Sequence, residues 1–224
     1  MIIAIDGTVS SGKSTAAKNV ARELGLLYIN TGLMYRAVTA YCLKCGVDTK
    51  DKEKVAALAG ELRIDLVSKP DGQHALANGE DLTAECKGPL VSEAVSDIAD
   101  NVKVRERLVA EQRRLGLEAK PGAVMEGRDI GSVVFPDADI KFFVTAPPEV
   151  RAHRRYLEFK ENGKNVPEEE VLRSVVERDK RDRERPVGAL IKLPEAIPLD
   201  TGDLTREEVT AKIVEHVKKY ESGS

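Results

Sequence analysis

The sequence predicts an α/β fold, with a central parallel sheet flanked by helices and a small antiparallel piece inserted into it. Three observations carry that prediction. Strand-like and helix-like segments alternate near the start of the chain and again in its second half. The octapeptide GTVSSGKS, residues 7–14, sits between a predicted strand and a predicted helix. Between residues 64 and 84 the pattern changes to short strand-like runs with Asn78-Gly79, a strong hairpin-turn signal.

The elements follow in order. Residues 2–5 are a short apolar run entering a glycine turn, as a buried strand does. In residues 14–24, Ala17, Val20, Ala21 and Leu24 recur on one helix face. Residues 26–29 read as a strand and 33–43 as a helix. The runs 64–67 and 74–77 are strand-like, and residues 64–100 form the inserted lobe. Regular order resumes with a helix at 102–115, strands at 123–125 and 140–144, and a helix at 149–160. Asn162-Gly163 breaks the pattern, and Pro167 suits the first turn of the next helix. Residues 197–199 are a last strand and 207–219 a last helix, followed by a polar tail, ESGS, expected to fray.

A chain of 224 residues can bury one substantial core, or one core and a small appended lobe. A net charge of −3 gives no general attraction to nucleic acid or to anionic membrane. No apolar run approaches the ~18 residues of a membrane helix, and no basic region precedes the apolar start. Three cysteines fit a reducing compartment better than a disulfide framework, so a cytoplasmic location is expected. Cys42 and Cys45 form a C-x-x-C pair, but no second pair exists, and His74, His153 and His216 lack ligand spacing. The pair reads as part of an amphipathic helix. No coiled-coil heptads appear, so a monomer is expected.

GTVSSGKS matches G-x-x-x-x-G-K-[ST] in full. Gly7, Thr8, Val9, Ser10, Ser11, Gly12, Lys13, Ser14 and Thr15 thus form the expected site for a nucleoside triphosphate. Glycines let consecutive amides point at phosphate oxygens, and the helix N-terminus adds partial positive charge. Lys13 can reach the β- and γ-phosphates, and the Ser14 hydroxyl is placed to ligate Mg²⁺. N-K-x-D and D-x-x-G are absent, which argues against a Ras-type GTPase. Arginines dispersed far from this loop suit a second, phosphorylated ligand, because a guanidinium fork grips phosphate through two bonds.

Four segments could hold that ligand. In Asn30–Arg36, Arg36 could bind a phosphate while Tyr35 packs on a sugar; a capped helix with a surface arginine is the alternative. In Glu126–Gly131, Arg128 suits an anion and Asp129 can accept from an exocyclic amine, unless the pair is a structural turn. Arg151, Arg154 and Arg155 share a helix face that could equally be solvated. Last, residues 177–186 read ERDKRDRERP, nine charged residues closed by a proline. Its net charge of +1 before the proline is too balanced for a nucleic-acid footprint. Helical spacing puts Arg178, Asp182 and Arg185 on one face. Asp179 and Arg183 read as a surface ion pair worth only ~0.3–0.5 kcal/mol.

Taken together, IDGTVSSGKST, NTGLMYRA, NGEDLT, KVRERL, EGRDIGSVVFPDA, RAHRR and ERDKRDRER resemble the bacterial cytidylate kinases (CMP kinases), P-loop nucleoside monophosphate kinases. The resemblance covers nearly the whole chain. It implies a P-loop kinase core (1–63, 101–150 and 186–224), an inserted nucleotide-monophosphate lobe (64–100) and a helical lid (151–185). It also implies ATP-dependent conversion of CMP, and of dCMP, to the diphosphate with Mg²⁺. By the same resemblance Arg36, Arg128 and Arg185 grip the CMP phosphate. Tyr35, Arg178 and Asp182 lie around the ribose, Ser96, Arg105 and Asp129 read cytosine, and Thr31 lies near the acceptor. Arg154 and Arg155 belong to the lid and, with Lys13, face the transferring phosphoryl group. Asn30 and Glu126 stand where the family frequently has aspartate. A kinase for another monophosphate such as UMP, or a nucleotide-binding module without turnover, are the alternatives.

Overall fold

The structure is a computed structural model that describes residues 1–161 and 163–223. In chain order its elements are β1 (Ile2–Gly7), α1 (Lys13–Leu24), β2 (Leu27–Asn30), α2 (Thr31–Lys44), α3 (Lys52–Glu61), β3 (Ile64–Lys69), β4 (Gly72–Ala77) and β5 (Glu80–Asp81). There follow α4 (Thr83–Cys86), α5 (Pro89–Ala99), α6 (Val102–Glu118), β6 (Ala123–Gly127), a π-helical turn (Ile130–Val134) and β7 (Ile140–Thr145). The chain closes with α7 (Pro148–Glu161), α8 (Glu168–Glu184), β8 (Ile197–Asp200) and α9 (Arg206–Gly223).

Two compact units result, Met1–Tyr28 with Glu118–Ser224, and Ile29–Leu117. The principal sheet has the order β2-β6-β1-β7-β8. The pairs β1–β6, β1–β7 and β7–β8 are parallel, with Ile3 opposite Val124 and Ile140, and Phe142 opposite Ile197. β1 is central and buried from Ile3 onward, as a strand covered on both faces must be. Ala16, Ala17, Val20 and Ala21 of α1 join Val209, Ile213, Val214 and Val217 of α9 over Ile3, Ile5, Phe142 and Val144 in one core. A satellite core joins Val9 to Ala152, Val171 and Val175 of α7 and α8.

The second unit has a core of its own. Met34, Val38 and Cys42 of α2 pack with Val55 of α3, Ala75 and Ala77 of β4, Val91, Val95 and Ile98 of α5, and Leu108 of α6. Its sheet, β3-β4-β5, is antiparallel, with Ile64 opposite Ala77 and Leu76 opposite Asp81. Asn78 (φ 51°) and Gly79 (φ 83°) are both left-handed, as the expected Asn-Gly hairpin requires. This unit runs from Ile29 to Leu117 because the hairpin and α5 bury their apolar faces against α2.

One expectation needs adjusting. The polar tail does not fray through 221–223, since α9 runs to Gly223 with Glu215 and Lys219 paired one turn apart; Ser224 lies outside the described residues. The expected break at Asn162-Gly163 is present at Gly163, which is left-handed (φ 72°) between α7 and α8; Asn162 lies outside the described residues. Among the described residues, no helix is long and apolar enough to cross a membrane.

Candidate active site

The loop from Gly7 to Gly12 leaves the C-terminal end of β1 and opens α1, where ligands of open α/β sheets collect. Gly12 caps α1 in the left-handed region (φ 83°), and Ser10 is left-handed without being glycine (φ 56°). The Lys13 ammonium and the Ser11 hydroxyl both donate to the Thr8 carbonyl, at 3.1 and 3.0 Å. This draws the loop into a tight curve, and the first amides of α1 have no intrahelical partner by construction. Ser14 and Thr15 are exposed in the first turn. Together with Ser10–Ala16, the residues Arg154, Arg155, Thr201, Leu204 and Arg206 line a cavity of about 730 Å³.

Beside the loop lies a charge cluster. Asp182 accepts from Arg128 Nε at 2.7 Å on one carboxylate oxygen and from Arg185 Nη2 at 2.7 Å on the other. Burial pushes the Asp182 carboxyl up, but Arg128 and Arg185 outweigh it and hold it at about 2. Arg178, one turn earlier on α8, adds to that pull. Burial and the Arg128 charge push Lys13 down to about 7, against the opposing pull of Glu126, 4.0 Å away, and Asp182. The arrangement gathers Arg128, Arg178 and Arg185 around Asp182, with Lys13 near Arg128, and a bound polyanion favours the charged form of such groups.

Asp129 is buried at the head of the π-turn, where its carbonyl accepts from the Val133 amide. Behind it Asp6 accepts from the Ile130 and Gly131 amides, both at 2.8 Å. Burial raises Asp6 to about 6. Arg154 donates to the Thr201 hydroxyl at 3.1 Å and the Thr201 carbonyl at 2.6 Å, so its fork is anchored at the cavity floor. The Arg155 guanidinium lies 5.1 Å from the Phe159 ring centroid.

The second unit holds the other candidates. Thr31 begins α2, and the Asn30 side chain caps that helix by accepting from the Leu33 amide at 3.0 Å. Asparagine is as good an N-cap as aspartate, so the capping role survives the exchange. Arg36 Nη1 donates to the Cys86 carbonyl at 2.8 Å and to the Ser92 hydroxyl at 3.0 Å. The Arg105 guanidinium stands 5.5 Å from the Tyr35 ring centroid and donates to the Ala99 carbonyl. Ser96 is buried on α5.

One sequence expectation is overturned. Asp179 is not half of a surface pair with Arg183, because it is 3% exposed and accepts from Arg151 Nη2 at 2.6 Å. The buried stripe of α8 runs Val171, Val175, Asp179, Asp182 and continues straight into the charged run. Arg151 is likewise buried rather than solvated. Asp6, Thr201, Leu204 and Arg206 were not among the expected site residues. The rule that ligands gather beyond the C-terminal ends of parallel strands points to the last three, just past β8.

Known proteins resemble this chain over nearly its whole length. The family model described as Cytidylate kinase matches residues 3–219. A cytidylate kinase of Bacillus velezensis is 46% identical over 97% of this chain and 96% of the relative. One of Geobacillus thermodenitrificans is 44% identical over 97% and 96%, and one of Bacillus subtilis 43% identical over the same shares. In fold, the crystal structure of an uncharacterized protein from Eubacterium ventriosum superposes with a TM-score of 0.54 at 15% identity, over 97% of this chain and 98% of that one. The chain belongs to the cytidylate kinase family.

Proposed function

We propose that this protein transfers the γ-phosphoryl group of ATP to CMP, and to dCMP, giving the diphosphate. The observation that carries the reading is the family's match across residues 3–219, which include a complete P-loop with a buried lysine. Phosphoryl transfer through a loose transition state asks a protein mainly for alignment and charge neutralisation. In this reading Gly7–Thr15 hold the ATP phosphates, and Lys13 supplies charge at the β- and γ-oxygens. Arg155, at the cavity wall, contributes further charge to the transferring group. Arg154 orders the cavity floor through Thr201.

Mg²⁺ arrives with ATP in this reading and offsets charge on the phosphate oxygens. The exposed Ser14 hydroxyl is the group that would hold it, and a lone hydroxyl fits a cation whose other ligands are phosphate and water. For the acceptor, the family resemblance assigns Arg36, Arg128 and Arg185 to the phosphate, Tyr35, Arg178 and Asp182 to the ribose, Ser96, Arg105 and Asp129 to cytosine, and Thr31 to a place near the acceptor. A CMP phosphate is already anionic, so no strong general base is needed. We read 64–100 as the monophosphate lobe and 151–185 as the lid, whose closure would exclude water from the phosphates. We read the protein as cytoplasmic, which suits the free thiols Cys42, Cys45 and Cys86.

Initial rates of ADP formation across CMP, dCMP, UMP, AMP and GMP test the assignment. CMP and dCMP should exceed the purine nucleotides by at least about a hundredfold in kcat/KM, on the order of what base-specific hydrogen bonds give. A preference for AMP or GMP would refute it.

A further inference from the structure

The charged groups of α7 and α8 include one pair that the reaction as described does not use. Arg151 is 2% exposed and its guanidinium makes three contacts. It donates to the Ala146 carbonyl at 2.8 Å, to the Val9 carbonyl at 3.1 Å and to Asp179 at 2.6 Å. Val9 is in the middle of the P-loop, and its side chain is buried with Ala152, Val171 and Val175. The next residue, Ser10, holds a left-handed backbone (φ 56°) that a side chain rarely adopts. Such a conformation persists only where the surroundings fix it from both sides. On the following side the Thr201 hydroxyl donates to the Ser11 carbonyl at 2.8 Å. On the preceding side the fixing group is Arg151.

We propose that Arg151 and Asp179 are a positioning pair for the P-loop. Asp179 sets the guanidinium, the guanidinium sets the Val9 carbonyl, and the following amides thereby keep the curvature that receives the ATP phosphates. Neither residue touches substrate; both act through the loop. The inference rests on the reading of that loop as the ATP site. Burying an arginine and an aspartate at this cost in desolvation is explained by the carbonyl they orient, because an apolar pair of similar volume would pack as well.

The experiment compares Asp179→Asn and the double variant Arg151→Met with Asp179→Leu. Calorimetry follows binding of a non-hydrolysable ATP analogue with Mg²⁺ and, separately, of CMP, alongside thermal melting. Asp179→Asn should weaken the ATP analogue about tenfold or more, the scale of a small misplacement of aligned groups, and weaken CMP much less. The double variant should melt near the parent while its ATP-analogue affinity stays low. Recovery of that affinity together with the melting temperature would overturn the proposal, since the pair would then serve stability alone. Equal losses for both nucleotides would overturn it as well. These readouts need no turnover, so a parent protein that binds the analogue without phosphorylating CMP would sink the kinase reading and leave the pair's role standing.

Discussion

Lys13 is buried beside Arg128, and its ammonium is pushed down to about 7. A bound triphosphate favours the charged form and raises that value again. Below pH 7 the free protein already carries the proton. Above it, ATP binding must take one up, so affinity falls by up to about tenfold per pH unit above 7. Calorimetry at pH 8.5 in two buffers of different ionisation enthalpy should show net proton uptake approaching about one per ATP; none would mean that Lys13 is charged before ATP arrives. Lys13→Ala should lower turnover by at least about a hundredfold, in keeping with losing one preorganised charge, and steady-state ADP production checks it. The lysine was legible because the P-loop is a contiguous motif. Arg151–Asp179 was not, because nothing local separates a buried carboxylate from its solvated neighbours in ERDKRDRERP. Asp6 was missed for a similar reason: the amides it binds lie 124 and 125 residues away.

Among elements, the junction of β1 and β7 constrains the start of the P-loop. A Cβ on Gly7 would stand 1.9 Å from the Val144 carbonyl oxygen, so this glycine is needed for close approach of two backbones. Gly7→Ala should part the strands at the loop, cost about 1–3 kcal/mol and lower the melting temperature by roughly 2–12 °C. Unchanged melting would show that the junction yields easily. The central strands were readable from their apolar runs, and α1 from its 3.6-residue period. The helices α3 and α5 went unread although Asp51 caps the first and Pro89 opens the second. They flank the strand-like runs of the hairpin, whose change of pattern drew residues 64–100 into one lobe. The π-turn Ile130–Val134 has no sequence period at all; its first two amides are held by Asp6.

For the whole molecule, alternation of strands and helices predicted the parallel sheet, and the Asn-Gly turn predicted the antiparallel insertion. The division at Ile29–Leu117 depends on which helices share a core, and local pattern does not contain that information. The central claim is that ATP and CMP meet in one in-line transfer. Phosphorus NMR of the protein with ATP, Mg²⁺ and CMP tests it directly. The account predicts loss of the ATP γ-signal with matching growth of ADP and CDP signals and little free phosphate. Inorganic phosphate in place of CDP, or intact ATP with both nucleotides bound, would contradict it.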